Sequence, residues 1–507
     1  MDSILETSQP KRKRFIRKTE VYSFKLDKPN VIEIGIPIIK VVADLAQEFG
    51  VKIYVVGGFV RDKLLGRDVK DIDFTVVGDS IAFAEFVGEK LQKHPIIYER
   101  FKTALIVAGD YNLEFVGTRK EEYIPSSRKP IVTEGTLEDD LKRRDFTINS
   151  LALSLNRENY GELVDLFGGY KDLQDKILKT PLEAGITFSD DPLRMMRAAR
   201  FASQLNFTIE ETCLNKLSEM ADRIQIISQE RITEELFKII DSNNPGKGLF
   251  ILHQSGILQW IFPELENLAG VDLVEKDNKV FAHKDVFRHS VKVLENIVPM
   301  TSNRWLRFAA LTHDIAKPKT KKFINGIGWT FHGHEDLGAK WMPKIFRRMK
   351  FPLDNLNYVE KLIRLHQRPM QLVDEEVSDS AIRRLAFQAG DALEDLFILV
   401  RADITTKNPN LSEQYKNNYE IVFNKVIEVQ EKDKLREFQS PIRGEEIMEV
   451  CNVPPSKLVG FIKEQIEEAI LDGKIPNEYD DAKKYFIENK ENWIQEYQTS
   501  LKTSNAI

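Results

Sequence analysis

The sequence predicts an α+β protein: a small mixed-sheet head, then an all-α neck and body, then an all-α domain rich in histidine. Three observations predict this. Helical and strand periodicities alternate from about residue 30 to residue 165. Strand signals nearly vanish after about residue 170. Six of the eight histidines lie between residues 283 and 366.

In chain order, residues 1–25 carry KRKRFIRK and little that could pack, so they read as a basic flexible arm. The head is expected over 26–165. In it, IPIIKVVADLAQEF places apolar residues every third or fourth position, as a helix does. YVVGG is a short apolar run ending in two glycines. DIDFTVV alternates like a strand, IAFAEFVGEKL returns to helical spacing, and ALIVAG and LEFVGT read as further strands. The neck and body, 166–268, hold PLRMMRAARFASQL, ERITEELFKII and GKGLFILHQSG, all amphipathic helices by their spacing. The histidine-rich domain is expected over 269–425 and a charged helical tail over 426–507. The breaks TPLEAGITFSDDP, DSNNPG and LAGVDLVEKDN mark candidate boundaries.

Composition bounds the function. A chain of 507 residues with 42% hydrophobic and 30% charged residues has ordinary globular usage and material for more than one core. The net charge of −6 argues against a uniformly basic nucleic-acid binder, yet 73 Lys and Arg residues can supply a local groove. Cys213 and Cys451 lack metal-ligand spacing and read as buried small hydrophobes in a reducing compartment. No apolar run approaches the roughly 20 residues of a membrane span, and the N-terminus has no apolar signal core. The expectation is a cytoplasmic protein without a membrane partner.

The chemistry concentrates in YVVGGFVRDKLLGRDVKDIDFTVVG, residues 54–78. Gly57 and Gly58 follow an apolar strand and precede a helix start, where backbone can approach a phosphate and free N–H groups point at it. A tight turn would use the same glycines. Asp71 and Asp73 decide more. Alternation along a strand puts both on one face and sends Ile72 and Phe74 to the other. Two adjacent carboxylates repel unless cations lie between them. Mg2+ suits hard oxygen ligands and substrate phosphates, and a pair of such ions can stabilise attacking and leaving oxygens in phosphoryl transfer. Glu114, between apolar Leu113 and Phe115, is the expected third carboxylate on a neighbouring strand, as metal bridge or as base.

The pattern GG-x-VRD followed by D-x-D resembles the class II tRNA nucleotidyltransferase and poly(A) polymerase family. RRDFTINSLAL (143–153), DDPLRMMRAARFA (190–202) and ERITEEL (230–236) resemble that family's further motifs, in order, between about 50 and 270. The chain departs at Glu114, where many members carry Asp, and at a Ser-Asp-Asp opening where Glu-Asp is usual. The resemblance implies a polymerase β-like nucleotidyltransferase head with Asp71, Asp73 and Glu114 as catalytic carboxylates. It also implies a nucleotide site that includes Gly57, Gly58, Arg61 and Arg197. Arg143 and Arg144 offer guanidinium forks suited to triphosphate oxygens. Asp145 and Asn149, four apart, would share a helix face and bond a ribose hydroxyl. Asp191 and Arg194, three apart on an expected helix, match the donor–acceptor edges of C and A and mismatch U and G. Salt-bridged arginines, a helix cap and an i,i+3 ion pair are the structural alternatives.

The histidine-rich region reads HKDVFRHSVKVLENI, WLRFAALTHDIAKPKT, FHGHEDLGAKW, KLIRLHQRP and LVRADITTKN, and resembles the HD phosphohydrolase domain. The resemblance implies His289, His313, Asp314 and Asp403 as ligands to one metal, with His334 and His366 extending the site. Imidazole plus carboxylate suits Mg2+ or a divalent transition metal. Lys317 could balance phosphate charge, and His283 and His332 are supernumerary. The activity implied is addition of C, C and A to the tRNA 3′ end from CTP and ATP, without a nucleic-acid template. Poly(A) synthesis and partial CC or A addition stand as alternatives, as does an HD phosphohydrolase with an RNA-binding head. YERFKTALIVAG resembles the CCA-adding form. A metal-dependent phosphohydrolase acting on cyclic or terminal phosphates of RNA is expected at the second centre.

Overall fold

The structure, a computed structural model, describes residues 30–99, 102–124, 127–270, 273–276, 279–282, 285–324, 328–373, 379–406, 408–433 and 440–504. The expected basic arm and His283 lie outside the described residues. The chain divides into two compact units. One comprises Met1–Lys120, Glu134–Leu141 and Ile148–Lys171; the other comprises Glu121–Thr133, Lys142–Thr147 and Asp172–Ile507.

The first unit holds a seven-stranded mixed sheet. Its strands are β1 (Lys52–Val56), β2 (Asp71–Val77), β3 (Ile96–Tyr98), β4 (Thr103–Ala108), β5 (Tyr111–Gly117), β8 (Leu151–Ser154) and β9 (Leu163–Asp165), in the order β3-β4-β5-β2-β1-β8-β9. A separate ribbon, β6 (Arg119–Ile124) and β7 (Ser127–Glu134), follows β5 in sequence, and its residues 121–133 belong to the second unit. β2 and β5 run parallel, whereas β1 pairs antiparallel with both β2 and β8. The four strands expected from alternation and apolar runs are all present. β3, β8 and β9 are additions of three or four residues. All four residues of β8 are buried, so LALS shows no period of two for sequence to reveal.

One sheet face is the core. Ile72, Phe74, Leu113 and Phe115 are fully buried, and Phe74 stacks on Phe115 with ring centroids 5.0 Å apart. The helices Pro37–Phe49 and Ser80–Leu91 close over this face through Phe49 and Phe83. Asp79 caps the second helix by accepting from the Ile81 and Ala82 N–H groups at 3.0 Å each. With the apolar side committed to these contacts, the remaining side chains of β2 and β5 go to the opposite face.

The second unit is mostly helical. The helices Leu193–Leu205 and Pro245–Gln254 cross tightly because Gly248 lacks a side chain: a Cβ there would lie 2.3 Å from Ser203 Oγ and 2.9 Å from the Ala199 carbonyl. The motif helix Gln229–Ile240 is joined to Leu193–Leu205 by the buried pair Arg200–Glu235, 3.2 Å. Phe237 then packs on Trp305 and Phe351, with centroids 5.1 and 4.8 Å away. Arg307, buried, donates to the carbonyls of Asp241, Val298 and Thr301 at 2.9–3.1 Å. These contacts seat the helix Arg304–Thr312. The helix Pro409–Asp433 runs across residue 425. Tail helices Gly444–Cys451, Lys457–Leu471 and Tyr479–Ser504 share a small core of Ile447, Ile462, Ile466, Phe486 and Trp493. Cys213 is buried as expected, but Cys451 is only half-buried, at the edge of that tail core, which leaves one side open. Among the described residues, no helix is long and apolar enough to cross a membrane.

Candidate active site and candidate metal centre

In the first unit, Asp71 and Asp73 leave β2 on the face opposite Ile72 and Phe74, as alternation required. The parallel register pairs Asp73 with Glu114 and Asp71 with Asn112. Asn112 Nδ2 donates to Asp71 Oδ1 at 2.8 Å. The Glu114 carboxyl is held above the usual range. Burial is the first cause and the Asp73 charge the second; Arg119 pulls the other way and Asp71 adds to the rise. Three carboxylates therefore share one electrostatic neighbourhood, with the third on the strand beside the pair. They form a looser set than the histidine centre below, where ligand atoms of each grouping lie within 4.8 Å of one another.

Gly57 closes β1 and caps the helix Gly58–Leu64. Its φ of 68° and ψ of −129° lie where a side chain is strained. Gly57 N–H donates to the Leu151 carbonyl at 3.1 Å, fixing this turn against β8. Arg61, on that helix, donates to Asn149 Oδ1 at 2.7 Å and clasps Asp62 through both carboxylate oxygens. Arg61 and Asn149 are thus brought together in one unit.

Two expectations about helices are corrected. Asp145 and Asn149 do not share an α-helical face. A turn precedes a 3-10 segment at Thr147–Asn149. Asp145 accepts from the Phe146 N–H at 2.9 Å, a local bond that competes with helix, and Phe146 and Ile148 both need burial, a spacing of two rather than 3.6. Likewise, Asp191 is not on the helix of Arg194. Asp191 is extended, at φ −140° and ψ 100°, because Pro192 follows it. Its Oδ1 accepts from the Leu193 N–H at 3.1 Å, just ahead of the helix Leu193–Leu205, whose N-cap is Pro192.

Within the second unit the remaining predicted residues form one connected set. Arg197 donates to Asp145 Oδ2 at 2.7 Å through Nε and pairs with it again through Nη2 at 2.6 Å. Arg194 donates to the Arg143 carbonyl at 2.5 Å and to the Thr187 carbonyl at 3.2 Å, which ties the 143–145 segment to the helix. Arg143 and Arg144 are half-buried. Asp191 pairs with Arg231 at 2.8 Å. Sequence reasoning had not singled out Arg231, although it stands inside ERITEEL and could have been found there.

The histidine centre is the more closely knit. His289 comes from the helix Val286–Ile297, His313 and Asp314 from the end of Arg304–Thr312, His334 from the start of His334–Met349, His366 from the end of Leu356–Leu365, and Asp403 from the last position of Leu393–Asp403. Asp314 is the hub. Its Oδ2 lies 3.2 Å from His313 Nε2, 3.5 Å from His289 Nε2 and 2.7 Å from Lys317 Nζ; its Oδ1 lies 3.1 Å from His334 Nε2 and 3.8 Å from His366 Nε2. Asp403 Oδ1 lies 2.9 Å from His289 Nε2 and 3.5 Å from His313 Nε2. His313, His334 and His366 each donate Nδ1–H to a carbonyl three residues earlier, of Ala310, Phe331 and Ile363, at 2.7–2.8 Å. That tautomer aims three Nε2 atoms inward. His289 Nδ1 is held by Thr405 Oγ1 at 3.1 Å, a partner that sequence reasoning missed although it stands in RADITTKN beside Asp403. His332 is exposed and apart from the ligand set.

Burial pushes His313 down, but the Asp314 and Asp403 charges overturn this and raise it to about 10. Burial and the neighbouring His313 charge lower His366 to about 3. Asp403 is driven far below its usual range: burial opposes this, and the imidazoles of His313 and His289 outweigh it. Both Asp314 oxygens, His313 Nε2 and Asp403 Oδ1 are buried with no hydrogen-bond partner of proper geometry. Two overlapping groupings, His289–His313–Asp403 and His313–Asp314–His366, bring their ligand atoms within 4.8 Å. Orphaned ligand atoms, fixed tautomers and a nitrogen–oxygen donor set fit a divalent cation.

Both centres lie within segments that match known families. Residues 53–179 match the family described as the poly A polymerase head domain, 206–268 the “Probable RNA and SrmB- binding site of polymerase A”, and 286–404 the HD domain. The chain is 30% identical over 433 residues to the A-adding tRNA nucleotidyltransferase of Deinococcus radiodurans, covering 83% of this chain and 92% of that one. It is 32% identical over 371 residues to the multifunctional CCA protein of Nitrosococcus oceani, covering 69% and 84%. In fold it is similar to a tRNA nucleotidyltransferase solved with a primer tRNA and an incoming ATP analog, with a TM-score of 0.56, 22% identity and coverage of 77% of this chain and 99% of that one.

Proposed function

Since this chain belongs to the tRNA nucleotidyltransferase and poly(A) polymerase family, we propose that it adds C, C and A to the tRNA 3′ end from CTP and ATP, without a nucleic-acid template and with release of pyrophosphate. The observation that carries this reading is the register of β2 and β5, which sets Glu114 beside the Asp71–Asp73 pair. In this reading the three carboxylates hold Mg2+, which when bound would supply charge neutralisation at the attacking and leaving oxygens. Glu114, kept basic by burial and its neighbours, accepts the proton of the attacking 3′ hydroxyl. Gly57, Gly58 and Arg61 receive phosphate, and Asn149, oriented by Arg61, receives a ribose hydroxyl.

To the second unit we assign nucleotide selection. Arg143, Arg144 and Arg197 supply cationic forks, Asp145 fixes Arg197, and Asp191 with Arg194 reads the base edge. The domain limits we propose are head 26–165, neck and body 166–268, and an HD domain from 269; the expected limit at 425 falls inside the continuous helix Pro409–Asp433, so the tail is placed after that helix. We place the enzyme in the cytoplasm, which two free thiols suit.

At the histidine centre we propose a metal-dependent phosphohydrolase acting on cyclic or terminal phosphates of RNA. His289, His313, Asp314 and Asp403 would hold one metal, and His334 and His366 would extend the site. The bound cation would supply a hydroxide nucleophile. Lys317, 2.7 Å from Asp314, is placed to balance phosphate charge. Ring opening of a cyclic phosphate, or phosphate release from a terminal monoester, should survive Asp71→Ala and vanish in His313→Ala; equal activity in both variants would refute the assignment.

A second reading has its own support: the Deinococcus relative, matched over 92% of its length, is an A-adding enzyme. One assay separates the two. tRNA lacking its last three nucleotides is incubated with CTP and ATP, and tRNA ending in CC with ATP alone. Three additions to the first substrate support CCA addition. Extension of the second substrate only supports A addition. A long A-tail on either supports poly(A) synthesis, and no addition refutes the transferase reading.

A further inference from the structure

Between Asp314 and His334 the chain leaves the helical bundle and forms a two-stranded hairpin, Lys322–Ile324 against Gly328–Thr330. The segment leading into it, KPKTKKFI (317–324), has four lysines and no acidic residue. Phe323 and Trp329 are directly opposite in register, with ring centroids 5.3 Å apart. They remain 50% and 38% exposed, so the pair holds the hairpin together without being covered by it. Lys321 Nζ lies 4.4 Å over the Trp329 ring, and Lys319 and Lys322 are exposed.

The base of the hairpin is bonded into the histidine centre. Lys317 contacts Asp314, and the Phe331 carbonyl accepts from His334 Nδ1 at 2.8 Å and from Thr320 Oγ1 at 3.4 Å. Two residue steps, about 7 Å of extended chain, take Trp329 to Phe331. A two-stranded ribbon of this length has little stability of its own. Two large rings half in water beside a run of cations present a surface complementary to something flat and anionic. Single-stranded nucleic acid meets that description: bases stack on aromatic rings and phosphates meet lysines.

We propose that the segments Lys317–Ile324 and Gly328–Thr330 form a strap that binds the last nucleotides of single-stranded RNA and delivers the terminal phosphate to the adjoining histidine centre. This rests on the phosphohydrolase reading of that centre. The strap makes oligonucleotide ends, rather than mononucleotides, the preferred substrate class. Lys317 belongs to the centre; Lys321, Lys322, Phe323 and Trp329 belong to recognition.

The test uses the full chain with its metal loaded, and compares a short oligoribonucleotide ending in a 2′,3′-cyclic phosphate with a 2′,3′-cyclic mononucleotide. Phe323→Ala/Trp329→Ala and Lys321→Gln/Lys322→Gln should each raise KM for the oligonucleotide about tenfold or more. Metal content, kcat and mononucleotide hydrolysis should stay at wild-type levels. An unchanged KM overturns the strap, and so does an equal loss on both substrates, which would make the hairpin a support of the metal centre. A second readout is independent of hydrolysis. An oligonucleotide with a terminal 4-thiouridine should cross-link to the peptide containing Trp329. If wild type hydrolyses neither substrate, the phosphohydrolase reading fails while this cross-link still decides the strap: labelling there supports it, and labelling only elsewhere overturns it.

Discussion

Replacing Asp73 with Asn should stabilise the cation-free protein while abolishing nucleotide addition. Asp73 and Glu114 are register partners on adjacent strands, and adjacent strands lie about 4.8 Å apart. Two unit charges about 5 Å apart repel by roughly 1 kcal/mol in bulk water and roughly 3 kcal/mol at an effective dielectric of about 20. Both side chains are half-buried, so screening places the value near the lower end, about 1–2 kcal/mol. Asn keeps the shape and removes the repulsion. At about 2–4 °C per kcal/mol for a unit of this size, Tm in chelator should rise by about 2–8 °C. The same change removes a cation ligand, so Mg2+ should stabilise wild type and leave the variant nearly unaffected. CMP and AMP incorporation should fall at least about 10²–10³-fold, as when one preorganised charge is deleted from an active site. A Tm that falls in chelator, or incorporation near the wild-type rate, would show that these carboxylates are not a strained cation cradle.

Other outcomes follow from the same geometry. Metal uptake at the histidine centre should release about one proton near pH 7.5, because His313, raised to about 10, must give up its proton to become a ligand; calorimetry in buffers of different ionisation enthalpy measures this. His366, lowered to about 3, is already neutral there and should release none. Because the folded value of His313 lies above its ordinary 6.5, its contribution to stability is full below pH 6.5 and is lost as pH rises toward 10. The Tm of chelated protein should fall across that window, and His313→Ala should flatten the fall. Asp191→Ala and Arg194→Ala should both blur selection of CTP and ATP over UTP in single-nucleotide incorporation. Arg194→Ala should also lower Tm, because it strands the Arg143 and Thr187 carbonyls.

Much of the candidate chemistry was legible because its signals are local. Period-two alternation placed Asp71 and Asp73 on one face of β2 and Glu114 between inward-facing Leu113 and Phe115. Gly57 and Gly58 marked the break between an apolar strand and a helix start, where the structure has its turn. Where local reading failed, spacing alone had been used. Asp191 and Arg194 at i and i+3 suggested one helix face, but Pro192 between them forbids the helix from starting earlier, a signal present in the sequence and underweighted. Asp145 and Asn149 at i and i+4 suggested the same, but Phe146 and Ile148 pull the chain into a turn and a 3-10 segment.

Taken by itself, the sequence determined that Asp71 and Asp73 share one strand face and which stretches form amphipathic helices, since each depends on backbone periodicity over a few residues. Only the tertiary structure decided that β2 and β5 run parallel with Asp73 beside Glu114, that Arg61 holds Asn149 and Arg197 holds Asp145, and that histidine and aspartate side chains from five helices cluster with Asp314. Those pairings join residues tens to more than a hundred positions apart. Their register is set by how whole elements exclude water and pack, and no local pattern along the chain encodes that.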